Sequence, residues 1–355
     1  MGLRLIHGLF AALLATAAQQ AAAQKHGDLL QAPERVEWDA GGLYEGHLAD
    51  GTPFQIELAY PAPDGVPKDA ADVMGNSYRY PRTYTGKALP LAAVNGPEGP
   101  LVLAPVLDSG AQGEERLTIA LGADQLAGKG TWQAAEGRQQ AFTLKRLVLY
   151  RAIALTRPSP QAQREGSDRP FVFAALFPVL KDQGASKWVR EVAGRCDADL
   201  ECTNKVAVRW YSKGQLSLDA SSSTYGYGAA HKQYRSEMRH YARKNGETIH
   251  TRFTAYVAPT LECRQQVSTL LVAKLKNQEL SWAEQGALDD LEEPTFIPTP
   301  VGIEFHWDPY AVGSYAQGMP SVFLTRAELG ACATNLPHPG EAMRHRAAGG
   351  PETSR

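Results

Sequence analysis

Residues 43–58 read Leu-Tyr-Glu-Gly-His-Leu-Ala-Asp-Gly-Thr-Pro-Phe-Gln-Ile-Glu-Leu. Their second half, Phe54 to Leu58, alternates strictly between apolar and polar residues, which is typical of a strand with one buried face. The dipeptide Asp50-Gly51 separates this strand from the preceding one and is a strong hairpin signal. The stretch therefore predicts an antiparallel β-hairpin near the start of the chain.

Similar short strands continue through the first half of the sequence, divided by Gly, Pro and Asp turns. The pattern includes Tyr78 to Tyr80, Leu101 to Leu103, Leu117 to Leu121 and Ala141 to Leu144, and it contains no long helical period. Many short strands with regular turns predict a small all-β barrel or sandwich over residues 36–155.

A polar, Pro-containing stretch at residues 156–169 predicts a linker, followed by a second domain at residues 170–335. This domain combines an antiparallel sheet with one long helix, whose apolar stripe runs from Cys263 to Leu275. Two short helices are expected at Ser186–Arg195 and after the N-cap Thr325. The overall class is therefore α+β. The Pro-, Gly- and charge-rich residues 336–355 predict a disordered tail.

Residues 1–23 have the pattern of a secretory signal peptide. Arg4 supplies the positive n-region, Leu9 to Ala18 the apolar region, and Ala21-Ala22-Ala23 the cleavage site. An uncleaved anchor is the alternative, but the apolar run is too short to cross a bilayer. We expect a periplasmic, soluble protein without stable membrane insertion. Its net charge of −2 gives no reason to expect nucleic acid as a partner.

The four cysteines predict two disulfides in an oxidising compartment. Four cysteines allow three pairings, and we favour Cys196–Cys202 and Cys263–Cys332. The first pair would close a short polar turn, and the second would tie the start of the long helix to the end of the fold. A zinc site is the competing interpretation, but no CxxC pair or nearby His cluster completes a tetrahedral ligand set.

Two motifs in the second domain resemble those of a bacterial extracytoplasmic domain. The first is Tyr225-Gly226-Tyr227-Gly228-Ala229-Ala230-His231, and the second runs from Pro300 to Gly318. The domain is found in the lysozyme-sensing anti-sigma factor and in the non-catalytic N-terminal region of some peptidoglycan deacetylases. Over residues 170–332 the resemblance implies a binding domain whose partner is a lysozyme-like muramidase or peptidoglycan.

These motifs also supply the candidate ligand-binding residues. Aromatic and imidazole side chains suit a binding face because they offer a large contact area at low entropic cost. The alternative is that they are structural: a buried turn for the first motif and a hairpin arm for the second. The candidates are Tyr227, His231, His306, Trp307, Asp308, Tyr310 and Tyr315.

A basic stretch that includes Arg235, Arg239 and Arg243 is a second candidate face for acidic groups, with a solvated strand face as the alternative. Asp197, Asp199 and Glu201 are too few for a calcium site. We therefore expect no metal and no cofactor.

The sequence contains no Gly-x-Ser-x-Gly, His-Glu-x-x-His or P-loop motif. It therefore favours a non-catalytic binding protein, with no catalytic residues assigned. One alternative is an envelope hydrolase or esterase that uses His231 with Asp308. Another is an immunity-type partner of a secreted protein.

Overall fold

A computed structural model describes residues 29–66, 74–80, 84–94, 100–159, 163, 166, 170–196, 200–226, 229–244, 247–280 and 294–337. The first eight strands form a closed antiparallel barrel, in which each strand pairs with the next and β8 pairs back onto β1. These strands are β1 Val36–Leu48, β2 Pro53–Ala59, β3 Asn76–Arg79, β4 Leu89–Ala93, β5 Leu101–Pro105, β6 Arg116–Leu121, β7 Ala127–Gln133 and β8 Gln139–Pro158.

The barrel interior is filled by the apolar residues of the alternating strands. Phe54, Ile56 and Leu58 of β2 are at most 2% exposed, and Tyr44 and Leu103 are fully buried beside them. Closure into a barrel removes the open strand edges that a small sandwich would leave. The α+β class is therefore confirmed, and its first part is a barrel.

The sheet does not stop at the barrel, because β8 continues beyond its pairing with β7 and pairs on that edge with a further strand. Five strands and one helix follow: β9 Pro170–Val179, α1 Gln183–Ala193, β10 Leu200–Tyr211, β11 Gln215–Gly226, β12 Gln233–Lys244 and β13 Glu247–Thr251. The β9–β10 pair is parallel, with α1 as its crossover, and the other pairs are antiparallel. Trp188 and Val189 of α1 pack on this sheet.

A second, three-stranded antiparallel sheet ends the described fold. It consists of β14 Phe296–Thr299, β15 Gly302–His306 and β16 Ser321–Thr325, and it packs on α2 Leu261–Lys276. The short helix α3 Arg326–Leu329 follows. Its N-cap Thr325 accepts a hydrogen bond from Glu328 N, as Thr260 does from Cys263 N at the start of α2. One long and two short helices thus occur among the described residues, as predicted.

Both predicted disulfides are confirmed. The short disulfide joins Cys196 to Cys202, and the long disulfide joins Cys263 at the start of α2 to Cys332. In the chain-entropy account, the short loop contributes about 2 kcal/mol of stability and the long loop about 4 kcal/mol. The long disulfide therefore fastens α2 to the last turn of the fold.

Side chains of the barrel form hydrogen bonds with the backbone of β10 where that strand no longer pairs with β9. Strand β9 pairs with β10 only as far as Lys205. Beyond it, Val208 N donates to Tyr150 Oη at 2.9 Å, and Val208 O accepts from Arg79 Nη2 at 3.1 Å. Gln55 Nε2 donates to Tyr211 O at 2.9 Å. Buried backbone groups need such partners, so these bonds join the barrel to the second half of the chain.

A half-buried carboxylate, that of Glu57, contacts two of the side chains that form these bonds. Tyr150 Oη donates to Glu57 Oε1 at 2.9 Å, and Arg79 Nη2 lies 3.9 Å from the same oxygen. Burial and the neighbouring Glu57 carboxylate raise the pKa of Tyr150 well above its usual value. The hydroxyl therefore stays protonated and remains a donor to Glu57.

Several predicted segments fall largely or wholly outside the described residues. These are the signal peptide, the tail after Pro337 and most of the linker 156–169, although β8 occupies the linker's first residues as far as Pro158. None of the helices in the described ranges is both long and apolar enough to cross a membrane.

Candidate functional site

The loop after β15 begins with a buried anchor. Along β15, Ile303 and Phe305 point into the C-terminal core, and Trp307 continues that alternation with a side chain that is 7% exposed. The Phe305 and Trp307 rings stack with centroids 6.5 Å apart. Trp307 is one of the predicted ligand-binding residues, and the structure places its side chain in the core.

The rest of this loop, residues 308–318, is fastened to the edge of β12 and is called here the clamp loop. Strand β13 pairs only with residues from His240 onwards, so the first half of β12 has no strand on this side among the described residues. Instead, Asp308 Oδ1 accepts from Ser236 N at 2.9 Å, and Tyr315 Oη donates to Lys232 O at 2.8 Å. Side chains thus replace a strand partner at this edge.

Four aromatic side chains gather where the clamp loop meets β12, and we call them the aromatic platform. The Tyr315 ring stacks on His231 at 4.0 Å, with Tyr310 at 5.7 Å and Tyr234 at 6.3 Å from it. Tyr310 is 55% exposed and Tyr234 is 45% exposed. Exposed aromatic rings in contact with one another form a surface that can bind another molecule.

The backbone of Tyr310 is unusual. Its φ of +72° lies in the left-handed region, which is rare for a bulky residue. Strained conformations of this kind persist where surrounding contacts hold them and often occur at binding sites. Here, the contacts of Asp308 and Tyr315 with β12 hold the chain on both sides of Tyr310.

A groove of about 590 Å³ adjoins the platform and is called the platform groove. This volume is in the range of small-molecule and sugar sites. Its polar lining comes from the turn after α1, from β10, β11 and β12, and from the clamp loop. It comprises Arg195, Asn204, Ser222, Thr224, Gln233, Arg235, Glu237 and Asp308.

Two of the charged groups in this groove are already paired. Arg195 Nη1 lies 2.7 Å from Glu237 Oε2, and Trp188 Nε1 donates to Glu237 Oε1 at 3.0 Å. Burial alone would raise the pKa of Glu237, but the bonds from Arg195 and Trp188 outweigh it and lower that pKa. Arg235 is exposed, and no described residue forms an ion pair or hydrogen bond with its guanidinium. Arg235 is thus available to an incoming anion.

The structure separates the three predicted basic residues. Only Arg235 lines the platform groove. Arg239 lies over the Trp188 ring at 5.1 Å, and Arg243 lies over the Tyr211 ring at 4.5 Å while donating to Ser212 O. The contacts of Arg239 and Arg243 are therefore mainly internal.

The remaining candidates lie apart or engage other groups. His306 is mostly buried and lies 3.3 Å from Glu304, away from the platform. Tyr227 lies outside the described residues.

His231 Nδ1 contacts Lys232 O, and no hydrogen bond joins the described side chains of His231 and Asp308. The arrangement therefore gives the acid–base hypothesis no geometric support. Within the described ranges, no three His, Cys, Asp or Glu side chains are placed to hold a metal ion.

Sequence reasoning missed Tyr234, Arg195 and Glu237. Tyr234 lies in the stretch predicted as a basic strand, where its neighbours drew attention to charge alone. Arg195 ends the predicted short helix, beside the short disulfide. No local motif marks any of the three, because only the pairing of β11 with β12 and the packing of α1 bring them to the groove.

Comparison with known proteins identifies part of this region. Residues 257–327 match a family model described as "Protein of unknown function (DUF3298)". A DUF3298 family structure from Bacteroides fragilis is 14% identical, with a TM-score of 0.39, and the match covers 56% of this chain and 98% of that chain. A DUF3298 family structure from Pseudomonas aeruginosa is 14% identical, with a TM-score of 0.37, and the match covers 51% of this chain and 92% of that chain. No curated protein matches the chain. The segment that carries α2, the C-terminal sheet and the clamp loop is therefore similar to the DUF3298 family.

Proposed function

We propose that this chain is a non-catalytic binding protein of the bacterial periplasm, and that its aromatic platform and platform groove bind peptidoglycan. The observation that carries the proposal is the exposed cluster of His231, Tyr234, Tyr310 and Tyr315 beside a polar groove. Sugar rings have apolar faces that can stack on aromatic rings and hydroxyl edges that need hydrogen-bond partners. The aromatic platform can stack on the apolar faces of sugar rings, and the polar side chains of the platform groove can form hydrogen bonds with the hydroxyl groups at their edges.

Charge favours peptidoglycan over a basic muramidase. The exposed charged side chains beside the platform are those of Lys232 and Arg235. Of the half-buried carboxylates, Glu237 is paired with Arg195 and Asp308 accepts a hydrogen bond from Ser236 N. A basic protein would meet like charges at this surface, which disfavours association. The stem peptides of peptidoglycan carry free carboxylates, and an arginine can bind a carboxylate in a bidentate manner.

The resemblance noted in the sequence supports the same ligand class. The two motifs that resemble the lysozyme-sensing domain supply His231, Asp308, Tyr310 and Tyr315 to this surface. Two disulfides are also compatible with an extracytoplasmic protein. The periplasmic location rests on the signal-peptide pattern. Mass spectrometry of the protein recovered from the periplasm tests it, with a mature N-terminus at Gln24 expected and an intact Met1 contradicting cleavage.

A sacculus-binding assay tests the proposed ligand. The oxidised, purified protein is sedimented with peptidoglycan sacculi, and we expect Tyr310→Ala or Tyr234→Ala to weaken binding at least tenfold, corresponding to about 1.4 kcal/mol. Ile249→Ala is the control, because it removes a side chain that is 58% exposed from β13, outside the platform. Arg235→Gln should weaken binding and reduce its dependence on salt.

Binding to c-, g- and i-type lysozymes is measured in parallel. One-to-one binding to a lysozyme, with no binding to sacculi, would replace peptidoglycan with a muramidase as the partner. Sacculus binding that is equally strong in the tyrosine variants would place the site elsewhere, and an absence of both interactions would overturn the proposal.

A further inference from the structure

A second cavity, of about 460 Å³, opens where the barrel meets the β10–β11 sheet, and we call it the junction cleft. Side chains from both parts of the chain line it. The barrel contributes Glu57, Arg79 and Lys87, and the sheet contributes Lys205, Arg209 and Asp219. It lies on the opposite face of β11 from the platform groove, since Ser221 lines the cleft and Ser222 lines the groove.

Both carboxylates of the cleft are already neutralised. Glu57 accepts hydrogen bonds from Tyr150 Oη and from Ser77 Oγ at 2.9 Å each, and Arg79 lies 3.9 Å away. Asp219 Oδ2 accepts from Arg209 Nε at 2.8 Å, and its other oxygen accepts from Ser236 Oγ at 3.3 Å. Each acidic group is therefore matched to an arginine.

Two lysines remain after this pairing. Lys87 is exposed at the barrel side of the cleft, and Lys205 is half-buried at the sheet side. No described residue forms an ion pair or hydrogen bond with either ammonium group. The described lining thus carries four cationic and two acidic side chains. The excess positive charge lies between low-dielectric walls, where it is less screened than on an open surface.

We propose that the junction cleft binds a small dianion, a phosphate compound or a dicarboxylate, between Lys87, Lys205 and Arg209. Arg209 uses Nε and Nη2 for Asp219, which leaves the Nη1 hydrogens for a ligand. Two ammonium groups and a guanidinium edge suit a ligand with two negative charges. A dianion that contacts Lys87 of the barrel and Lys205 of the sheet would also bridge the two parts.

Calorimetric titration of the oxidised full chain in mildly alkaline buffer tests this site, with inorganic phosphate and succinate, both dianions there, as separate probes. Ionic strength is held constant with sodium chloride. We expect one-to-one binding of at least one probe, together with a higher melting temperature in its presence. Binding of inorganic phosphate alone would identify a phosphate site, and binding of succinate alone would identify a carboxylate site.

Two lysine variants localise the binding. Lys205→Gln and Lys87→Gln should each weaken the binding at least tenfold without altering the fold. Lys187→Gln is the matched control, because it removes one charge from the exposed face of α1. Equal effects of Lys205→Gln and Lys187→Gln, or no binding of either probe, would overturn the proposal. Sacculus binding should be unaffected by Lys205→Gln, so the two proposals can fail independently.

Discussion

Gly86 is the residue at which a single added methyl group should damage the fold most clearly. It belongs to the barrel segment after β3, and its φ is +99°. A Cβ atom there would lie 1.8 Å from Glu304 Oε2 of β15. Tyr84 Oη donates to Gly86 O at 2.8 Å, so the segment is held in place. We expect Gly86→Ala to destabilise the contact between the barrel and the C-terminal sheet.

The magnitude has two contributions. An alanine in a left-handed conformation costs about 1 kcal/mol. The carboxylate of Glu304, which is 2% exposed, must also move away from its position 3.3 Å from His306 Nε2. Forcing a buried side chain aside in a packed interior costs about 3 kcal/mol. The free energy of unfolding should therefore fall by about 4 kcal/mol in total, which at roughly 2 °C per kcal/mol lowers the melting temperature by about 8 °C.

Urea unfolding of Gly86→Ala and of Gly51→Ala measures the contribution of the contact. Gly51 has a similar φ of +84°, but an added Cβ would meet nothing within 4 Å. Gly51→Ala therefore measures only the cost of an alanine in a left-handed backbone conformation, and it should lower the free energy of unfolding by about 1 kcal/mol. If the two variants lose the same stability, the close approach of Gly86 to Glu304 does not constrain the fold and the reasoning is wrong.

Three further predictions concern the interior. Burial lowers the pKa of His240 from 6.5 to about 3. The stability that this shift contributes is fully present above pH 6.5 and is lost as the pH falls towards 3. Lowering the pH from 8 to 5 should therefore reduce the free energy of unfolding by about 2 kcal/mol. Urea unfolding should show this loss in His231→Gln but not in His240→Gln. Tyr150→Phe should lower the free energy of unfolding by about 3 kcal/mol in the same assay, because Glu57 Oε1 and the buried Val208 N–H each lose a hydrogen-bond partner. The control, Tyr310→Phe, should change it by under about 0.5 kcal/mol. Replacing the cysteines of the long disulfide with serine should cost about 4 kcal/mol, against about 2 kcal/mol for the short one, and equal losses would contradict the loop-entropy account.

The alternation in β2 shows how far a strand pattern can predict a fold. It correctly predicted that Phe54, Ile56 and Leu58 are buried, because the apolar face of a strand must point to a core. It gave no sign that Gln55, on the other face, is 1% exposed. That face is covered by β10, where Gln55 bonds to Tyr211, 156 residues later in the sequence. Strand periodicity contains no information on such a distant partner.

In the candidate site, too, local motifs predicted some residues, whereas others depend on contacts between distant segments. The two motifs supplied His231, Asp308, Tyr310 and Tyr315, which the pairing of the clamp loop with β12 brings together. The alternation along β15 also predicted, as one alternative, that Trp307 continues the core, and the structure follows that alternative. Tyr234 joins the platform only through contacts between segments far apart in the chain. Such residues could not be selected from local spacing.

The architecture constrains which ligand each cavity can take. Neighbouring residues of β11 point to opposite faces, so one face lines the junction cleft and the other lines the platform groove. The barrel covers the first face, and a glycan strand would have to separate Tyr150 and Arg79 from Val208 to extend along it. The platform lies at the open edge of β12, where Tyr234 and Tyr310 are exposed. A polymer can therefore extend across the platform without breaking these hydrogen bonds, whereas it could not extend through the junction cleft, of about 460 Å³, without doing so.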